Sequence, residues 1–157
     1  MDPYIIFHLV EECGMSLGEV KTMLQTKSGL LGMSGGVSND LRDIQEAADQ
    51  GNEDCKNAVN AYAYGIKKYI GAYTAAMGGV DAIVFGGGIG RNSDTVRAMA
   101  LEGLECLGVI LDEEKNRNAK GGDDVSAADS RVRVYIVDTN EEIVVARKAQ
   151  KLLEQNS

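Results

Sequence analysis

The run Asp81-Ala82-Ile83-Val84-Phe85 leads directly into Gly86-Gly87-Gly88-Ile89-Gly90-Arg91-Asn92, and Ser93 follows as a helix cap. A short apolar run rich in β-favouring residues, closed by glycines, predicts a buried strand. Glycines after a strand let the chain turn sharply and let the backbone approach a ligand closely. A strand that feeds a helix through such a turn is one half of a β-α-β crossover. It commits the chain to an α/β domain with a largely parallel sheet at its centre.

The rest of the chain fits that frame. Asp2, Pro3 and the apolar Ile5, Ile6, Leu9 and Val10 predict a first helix that ends at Gly14. Ser16 and Glu19 make a capping-box pattern for a second. Residues 28–36 are rich in glycine and predict a loop. Ser38, Asn39 and Asp40 are candidate caps for a short helix ending near Gly51. Asn52 caps a long helix over residues 53–77, in which Ala58, Tyr62, Ile66, Tyr69, Ile70 and Tyr73 recur on one face, read as a packed tyrosine stripe. Beyond the glycine turn, a helix carries Val96, Met99, Leu101, Leu104 and Leu107. Val109, Ile110 and Leu111 form a second strand candidate, and residues 112–120 a short helix. Residues 121–130 read as an acidic surface loop and residues 132–137 as a third strand. A last helix opens at Thr139 or Asn140 and carries Val144, Val145, Leu152 and Leu153. Three strands are few for such a sheet, which implies that part of the domain lies outside this chain.

Composition excludes several classes. The 157 residues carry a net charge of -8, with no tryptophan and two phenylalanines. A nucleic-acid-binding face needs a clustered basic patch, and none is present. The core must come from Ile, Leu, Val, Ala and Met. Cys13, Cys55 and Cys106 form no CxxC pair, so they read as small core residues in a reducing compartment. His8, the single histidine, has no partner cluster and reads as structural. No apolar run approaches the length a membrane span requires, and the cytoplasm is the expected location.

Three segments hold the residue types that nucleotide chemistry uses. The glycine turn and the helix behind it offer free N–H groups and a positive dipole end to a phosphate. The same pattern also fits a tight βα turn with no ligand. It is not a P-loop, because no Lys-Ser or Lys-Thr pair closes it. It is not the dinucleotide fingerprint, because Arg91 stands at the third glycine position. In the second segment, Asp40 can accept from a ribose hydroxyl and Arg42 can stack on a base or pair with phosphate; a helix cap with an ion pair is the alternative. The third is Asp138-Thr139-Asn140-Glu141-Glu142, directly after the last strand. In open α/β sheets, ligands sit beyond the carboxyl ends of the strands. A carboxylate there can hold Mg²⁺, which keeps most of its waters, or can serve only as a first-turn acid.

Four blocks, KSGLLGMSGGVSNDLRD, KKYIGAYTAAM, DAIVFGGGIGRNS and VRVYIVDTNEEIVVA, resemble consecutive blocks of acetate kinases in order and spacing. The resemblance covers nearly the whole chain. It implies a partial actin-like ATPase (ribonuclease H-like) domain, α/β, with a short central sheet and several packed helices. It implies the reversible transfer of the ATP γ-phosphoryl group to acetate, with ATP/ADP and Mg²⁺ as cofactors, in a homodimer; from charge and apolar patterning, no nucleic-acid or membrane partner is expected. By the same resemblance, Asp40, Leu41 and Arg42 match the element beside the adenosine. Gly88, Ile89, Gly90, Arg91 and Asn92 match the loop against the adenosine and α-phosphate, and Glu141 matches the glutamate that helps place Mg²⁺. Leu41 is then an apolar contact in a place that is often aromatic.

Three further positions depart from the family pattern: Gly86 stands where Thr is usual, Arg91 where Glu is usual, and Asp138 where Pro is usual. No block matches the catalytic arginines, the catalytic histidine or the acid pocket. Met1 stands where the family has an internal residue. The expectation is therefore a C-terminal nucleotide-binding domain over residues 1–157, lacking the N-terminal domain and the first strands of its own domain, with no catalytic residue and no activity alone. A propionate or butyrate kinase is an alternative reading, as is a non-catalytic nucleotide-binding or dimerisation module whose long helix presents Tyr62, Ile66, Tyr69 and Tyr73.

Overall fold

A computed structural model of the chain describes residues 2–155, apart from the side chains of Glu141, Glu142, Val144 and Gln155. Two compact units emerge, residues 1–65 and 66–157.

The first unit is helical. Asp2 Oδ1 accepts from Tyr4 N at 2.9 Å and starts α1 (Tyr4–Phe7). The predicted single helix then widens into a π-helical turn, His8–Glu12, closed by Cys13 N donating to His8 O at 3.2 Å. Helix α2 (Leu17–Thr26) opens on the predicted capping box: Ser16 Oγ accepts from Glu19 N, and Glu19 Oε2 accepts from Ser16 N at 2.8 Å. The predicted loop over residues 28–36 contains one helical turn, α3 (Leu30–Met33). Helix α4 (Leu41–Asp49) starts on Asp40, and α5 (Glu53–Met77) starts on Asn52, whose Oδ1 accepts from Cys55 N at 3.0 Å. The buried apolar residues are Val20, Leu41, Ile44, Ala48, Cys55, Ala58, Val59 and Ala63. Their spacing within α4 and α5 is the i, i+3, i+4 recurrence of a core-facing stripe. Of the three cysteines read as core residues, only Cys55 is buried; Cys13 in this unit and Cys106 in the second are exposed.

The second unit holds the sheet. Strand β1 (Ala82–Phe85) pairs in parallel with β2 (Arg133–Ile136), Phe85 opposite Ile136. Between them lie α6 (Gly87–Asn92), α7 (Asp94–Leu101), a 3₁₀ turn (Glu105–Leu107) and α8 (Glu113–Asn118); α9 (Glu141–Gln155) follows β2. The core comprises Phe85, Ala100, Leu101, Leu104, Val109, Val125, Val132, Val134 and Ile136, with Ile66 and Ile70 of α5 packed against it.

Several expectations need correction here. The stripe packs only in part: Ala58 is buried, Tyr62 is half-buried and Ile66 and Ile70 face the core, whereas Tyr69 and Tyr73 are exposed and stack on each other at 5.9 Å. The predicted buried strand β1 buries only Phe85 fully, and Val84 on its outward side is 57% exposed. Among the described residues β1 pairs with β2 alone, so one face and one edge of the sheet are open, unlike a parallel sheet covered on both sides. The helix after the glycines ends at Leu101, leaving Leu104 and Leu107 outside it. Val109 and Leu111 make only isolated bridges, to Val132 and Ser126.

Residues 121–130, read as a surface loop, instead line the far side of β2. Val125 and Ser126 are fully buried. Val125 N donates to Val134 O at 2.8 Å, and Ile136 N donates to Asp123 O at 2.9 Å. The polar side chains that made this stretch look solvated satisfy the sheet. Ser126 Oγ accepts from Val134 N at 2.8 Å, and Asp124 Oδ2 accepts from Arg133 Nε at 2.9 Å.

Candidate functional site

In the second unit the two strands end level, so the turns that follow them lie side by side. Val137 N donates to Phe85 O at 2.9 Å and carries the pairing one residue further. Gly86 is extended, and a Cβ there would lie 3.2 Å from Val137 Cγ2 and 3.3 Å from Thr139 Cγ2. Contacts that close are tighter than ordinary packing accepts, which gives the first departure, glycine at 86, a steric reason. Gly87 has φ +69°, a left-handed conformation that costs other residues roughly 1–2 kcal/mol.

The segment expected as a loop, residues 88–92, is helical: α6 spans Gly87–Asn92 and has no side-chain cap at its start. A Cβ on Gly88 would meet nothing within 4 Å. Asn92 Nδ2 donates to Gly88 O at 2.8 Å, and Asn92 Oδ1 accepts from Arg91 Nη1 at 3.2 Å. Arg91 Nε donates to Asp138 Oδ1. The other two departures, Arg91 and Asp138, are thus each other's partner. Ile89 and Gly90 are half-buried. Ser93 ends α6 and caps α7, its Oγ accepting from Val96 N at 3.2 Å as the sequence predicts.

Sequence reasoning missed what holds α6 in place. Arg97 is 2% exposed and has neutral oxygens for acceptors. Its Nη1 donates to Gly90 O and Arg91 O, each at 2.9 Å. Its Nε and Nη2 donate to Asn116 Oδ1 and O, each at 2.7 Å, and Asn116 Nδ2 donates to Asp94 O at 2.9 Å. The guanidinium thereby ties the last carbonyls of α6 to α8. Burial pulls its pKa below the ordinary arginine value, and the charge of Asp94 opposes that. The available signal was a charge inside the apolar stripe of α7, adjacent to Val96 and three residues before Ala100.

Asn140 Oδ1 accepts from Ile143 N at 3.0 Å and so caps α9. Glu141 is the first residue of that helix, and its side chain, the expected magnesium contact, lies outside the described residues. Among the described residues no cluster of three or more His, Cys, Asp or Glu can hold a metal ion. A hydrated Mg²⁺ carried on phosphate oxygens needs only one or two protein carboxylates.

In the first unit, Asp40 is the N-cap of α4. Its Oδ1 accepts from Arg42 N at 2.9 Å, and Arg42 Nε and Nη2 reach the same carboxylate at 3.1 and 2.6 Å. Arg42 is 87% exposed, whereas Leu41 is 3% exposed and belongs to the core. Leu41 thus has no side-chain surface to offer an adenine, only backbone. The Arg42 guanidinium, with the backbone N–H of Arg42, lowers the Asp40 pKa from 3.8 to about 2. A depressed carboxylate pKa contributes stability that is fully present above 3.8 and is lost as pH falls through about 2. Carboxyl carbon shifts of Asp40 should therefore titrate with a midpoint near 2, and Arg42→Ala should move that midpoint up towards 3.8. An unmoved midpoint in the variant would show that the pair does not set it.

A family model described as the acetokinase family matches residues 1–147. The chain belongs to the acetokinase family. The acetate kinase of Heliobacterium modesticaldum is 50% identical to this acetokinase-family chain over 153 residues, which are 98% of the chain and 38% of the relative. The crystal structure of Porphyromonas gingivalis acetate kinase superposes with a TM-score of 0.86 at 40% identity, again over 98% of this chain and 38% of that one. That of a propionate kinase from Francisella tularensis gives 0.84 at 32% identity, over 93% and 37%. The acetokinase-family chain spans about two fifths of the length of these proteins, and its α/β architecture is part of their actin-like ATPase fold.

Proposed function

We propose that this chain is the nucleotide side of an ATP-dependent acetate kinase. The observation that carries the reading is the 50% identity with an acetate kinase across nearly the whole chain. In the proposed reaction an acetate oxygen attacks the γ-phosphorus of ATP and the bond to the β-phosphate oxygen breaks, giving acetyl phosphate and ADP; the reverse also runs. Such transfers depend mainly on positioning and charge neutralisation. Asp40 and Arg42 would contact the adenosine. The backbone of residues 88–92 and the Asn92 side chain would contact adenosine and α-phosphate, and Glu141 would help place the hydrated Mg²⁺ that neutralises phosphate charge.

The groups that hold acetate and stabilise the transferring phosphoryl group would come from the remaining three fifths of the family's length. The open edge of β1 supports a sheet completed by strands from that remainder, and the exposed Val84 and Tyr135 support a layer that covers its outward face. We place the complete protein in the cytoplasm as a homodimer. No helix among the described residues is long and apolar enough to cross a membrane.

Calorimetric titration of the chain with Mg-ATP tests the reading. Binding should weaken by roughly 10- to 100-fold in Arg42→Ala, Asn92→Ala, the loss expected for one or two hydrogen bonds to charged groups. Equal affinity in the double variant would remove both residues from the site. Acetyl phosphate formed by the chain alone would refute the split of roles.

A propionate kinase is the second reading, favoured by the 0.84 TM-score to such an enzyme. An acid panel with the protein of full family length separates the two.

A further inference from the structure

We propose that the ion pair between Arg91 and Asp138 is a latch between the turns at the ends of β1 and β2, and that Asp138 is a positioning residue for the proposed nucleotide segment; the proposal rests on the reading of that segment given above. The two residues are 47 positions apart and meet only because the strands are in register. Arg91 is in the last turn of α6, and Asp138 is in the turn that leads to α9 and Glu141.

A continuous line of polar contacts runs through the pair. Asp138 Oδ1 accepts from Arg91 Nε, Arg91 Nη1 donates to Asn92 Oδ1 at 3.2 Å, and Asn92 Nδ2 donates to Gly88 O at 2.8 Å. The position of Asp138 is thereby felt at the first turn of α6. Sterics fix the other end. A Cβ on Gly121 would overlap the Asp138 carboxylate, so this carboxylate lies against backbone and cannot swing to that side. The close approach of Gly86 to Val137 and Thr139 keeps the two turns in contact without any charge. The ion pair therefore selects one arrangement of turns that already touch, and does not bring them together. Its side chains are 45% and 60% exposed, so its effect is modest and screened by salt.

The test is a mutant cycle on the 157-residue chain, read by amide hydrogen exchange at Ser93 and Ile143 and by Mg-ADP titration. Asp138→Asn should raise exchange at both amides together by up to roughly fivefold, the upper range for an exposed pair. Gly121→Ala, which displaces the carboxylate and leaves both charges in place, should do the same. Arg91→Gln combined with Asp138→Asn should add nothing further. Asp138→Glu, which keeps the charge facing Arg91 and leaves the Arg91–Asn92 hydrogen bond in place, should retain most of the protection, and 0.5 M salt should erase the differences. The Kd for Mg-ADP should rise in Asp138→Asn and Gly121→Ala and stay near the unaltered value in Asp138→Glu while the thermal midpoint stays within about 2 °C, a pattern that general loosening does not give. Independent, additive exchange effects, or no change at Ile143, would overturn the latch. Coupled exchange in a chain whose unaltered form binds no Mg-ADP would overturn the positioning role and the nucleotide reading, leaving only a structural ion pair.

Discussion

Arg97→Met should lower the thermal midpoint of the second unit by on the order of 10 °C, a large effect for one polar residue. Methionine keeps much of the volume and removes every donor. Two oxygens of Asn116 and the carbonyls of Gly90 and Arg91 then lose their partners. Buried acceptors left unpaired cost about 1–3 kcal/mol each. The two bonds to Asn116 are buried and those to α6 only partly so, and water can repair the latter. A total of roughly 3–5 kcal/mol follows. Arg97→Lys should recover less than half of it, because one ammonium cannot reproduce a planar fork that serves two elements. Scanning calorimetry of the three proteins decides the matter: a shift below about 2 °C in Arg97→Met would mean that the brace is redundant. Nucleotide affinity should fall along with stability, since the carbonyls concerned end the segment proposed to hold the phosphate.

Ile136→Ala should cost about 2–5 kcal/mol. Its side chain is fully buried at the carboxyl end of β2, opposite Phe85, in the apolar core of the second unit. Tyr135, one residue earlier, faces the other way and is 36% exposed, so Tyr135→Ala should change stability by under about 1 kcal/mol. Urea unfolding of both variants measures the contrast. Equal losses would mean that the outward face of the sheet is packed as well as the inward one.

The sequence was legible where structure is local. Ser16 with Glu19, Asp40, Asn52, Ser93 and Asn140 all cap helices, because a cap is an agreement between a side chain and an N–H two or three residues away. It was misleading where a residue's partner is distant. Residues 121–130 have a loop's composition, yet Asp124 and Ser126 spend their polarity on Arg133 and on the backbone of Val134. The glycines after β1 read as loop because their low helix propensity outweighs the short helical run that the brace from Arg97 supports. Tyr69 and Tyr73 lie at helical spacing, but spacing does not say which face of a long helix a core will take. For the candidate site, the strand–glycine–helix order and the family pattern named the segments. That Arg91 and Asp138 meet, and that Leu41 is core, required the three-dimensional arrangement.

The contrast among the three thiols gives the chain an internal clock. Cys13 and Cys106 are exposed and Cys55 is not, so an alkylating reagent adds two mass tags promptly and a third only as often as the first unit opens. The lag before the third tag times the opening of the structure that covers Cys55.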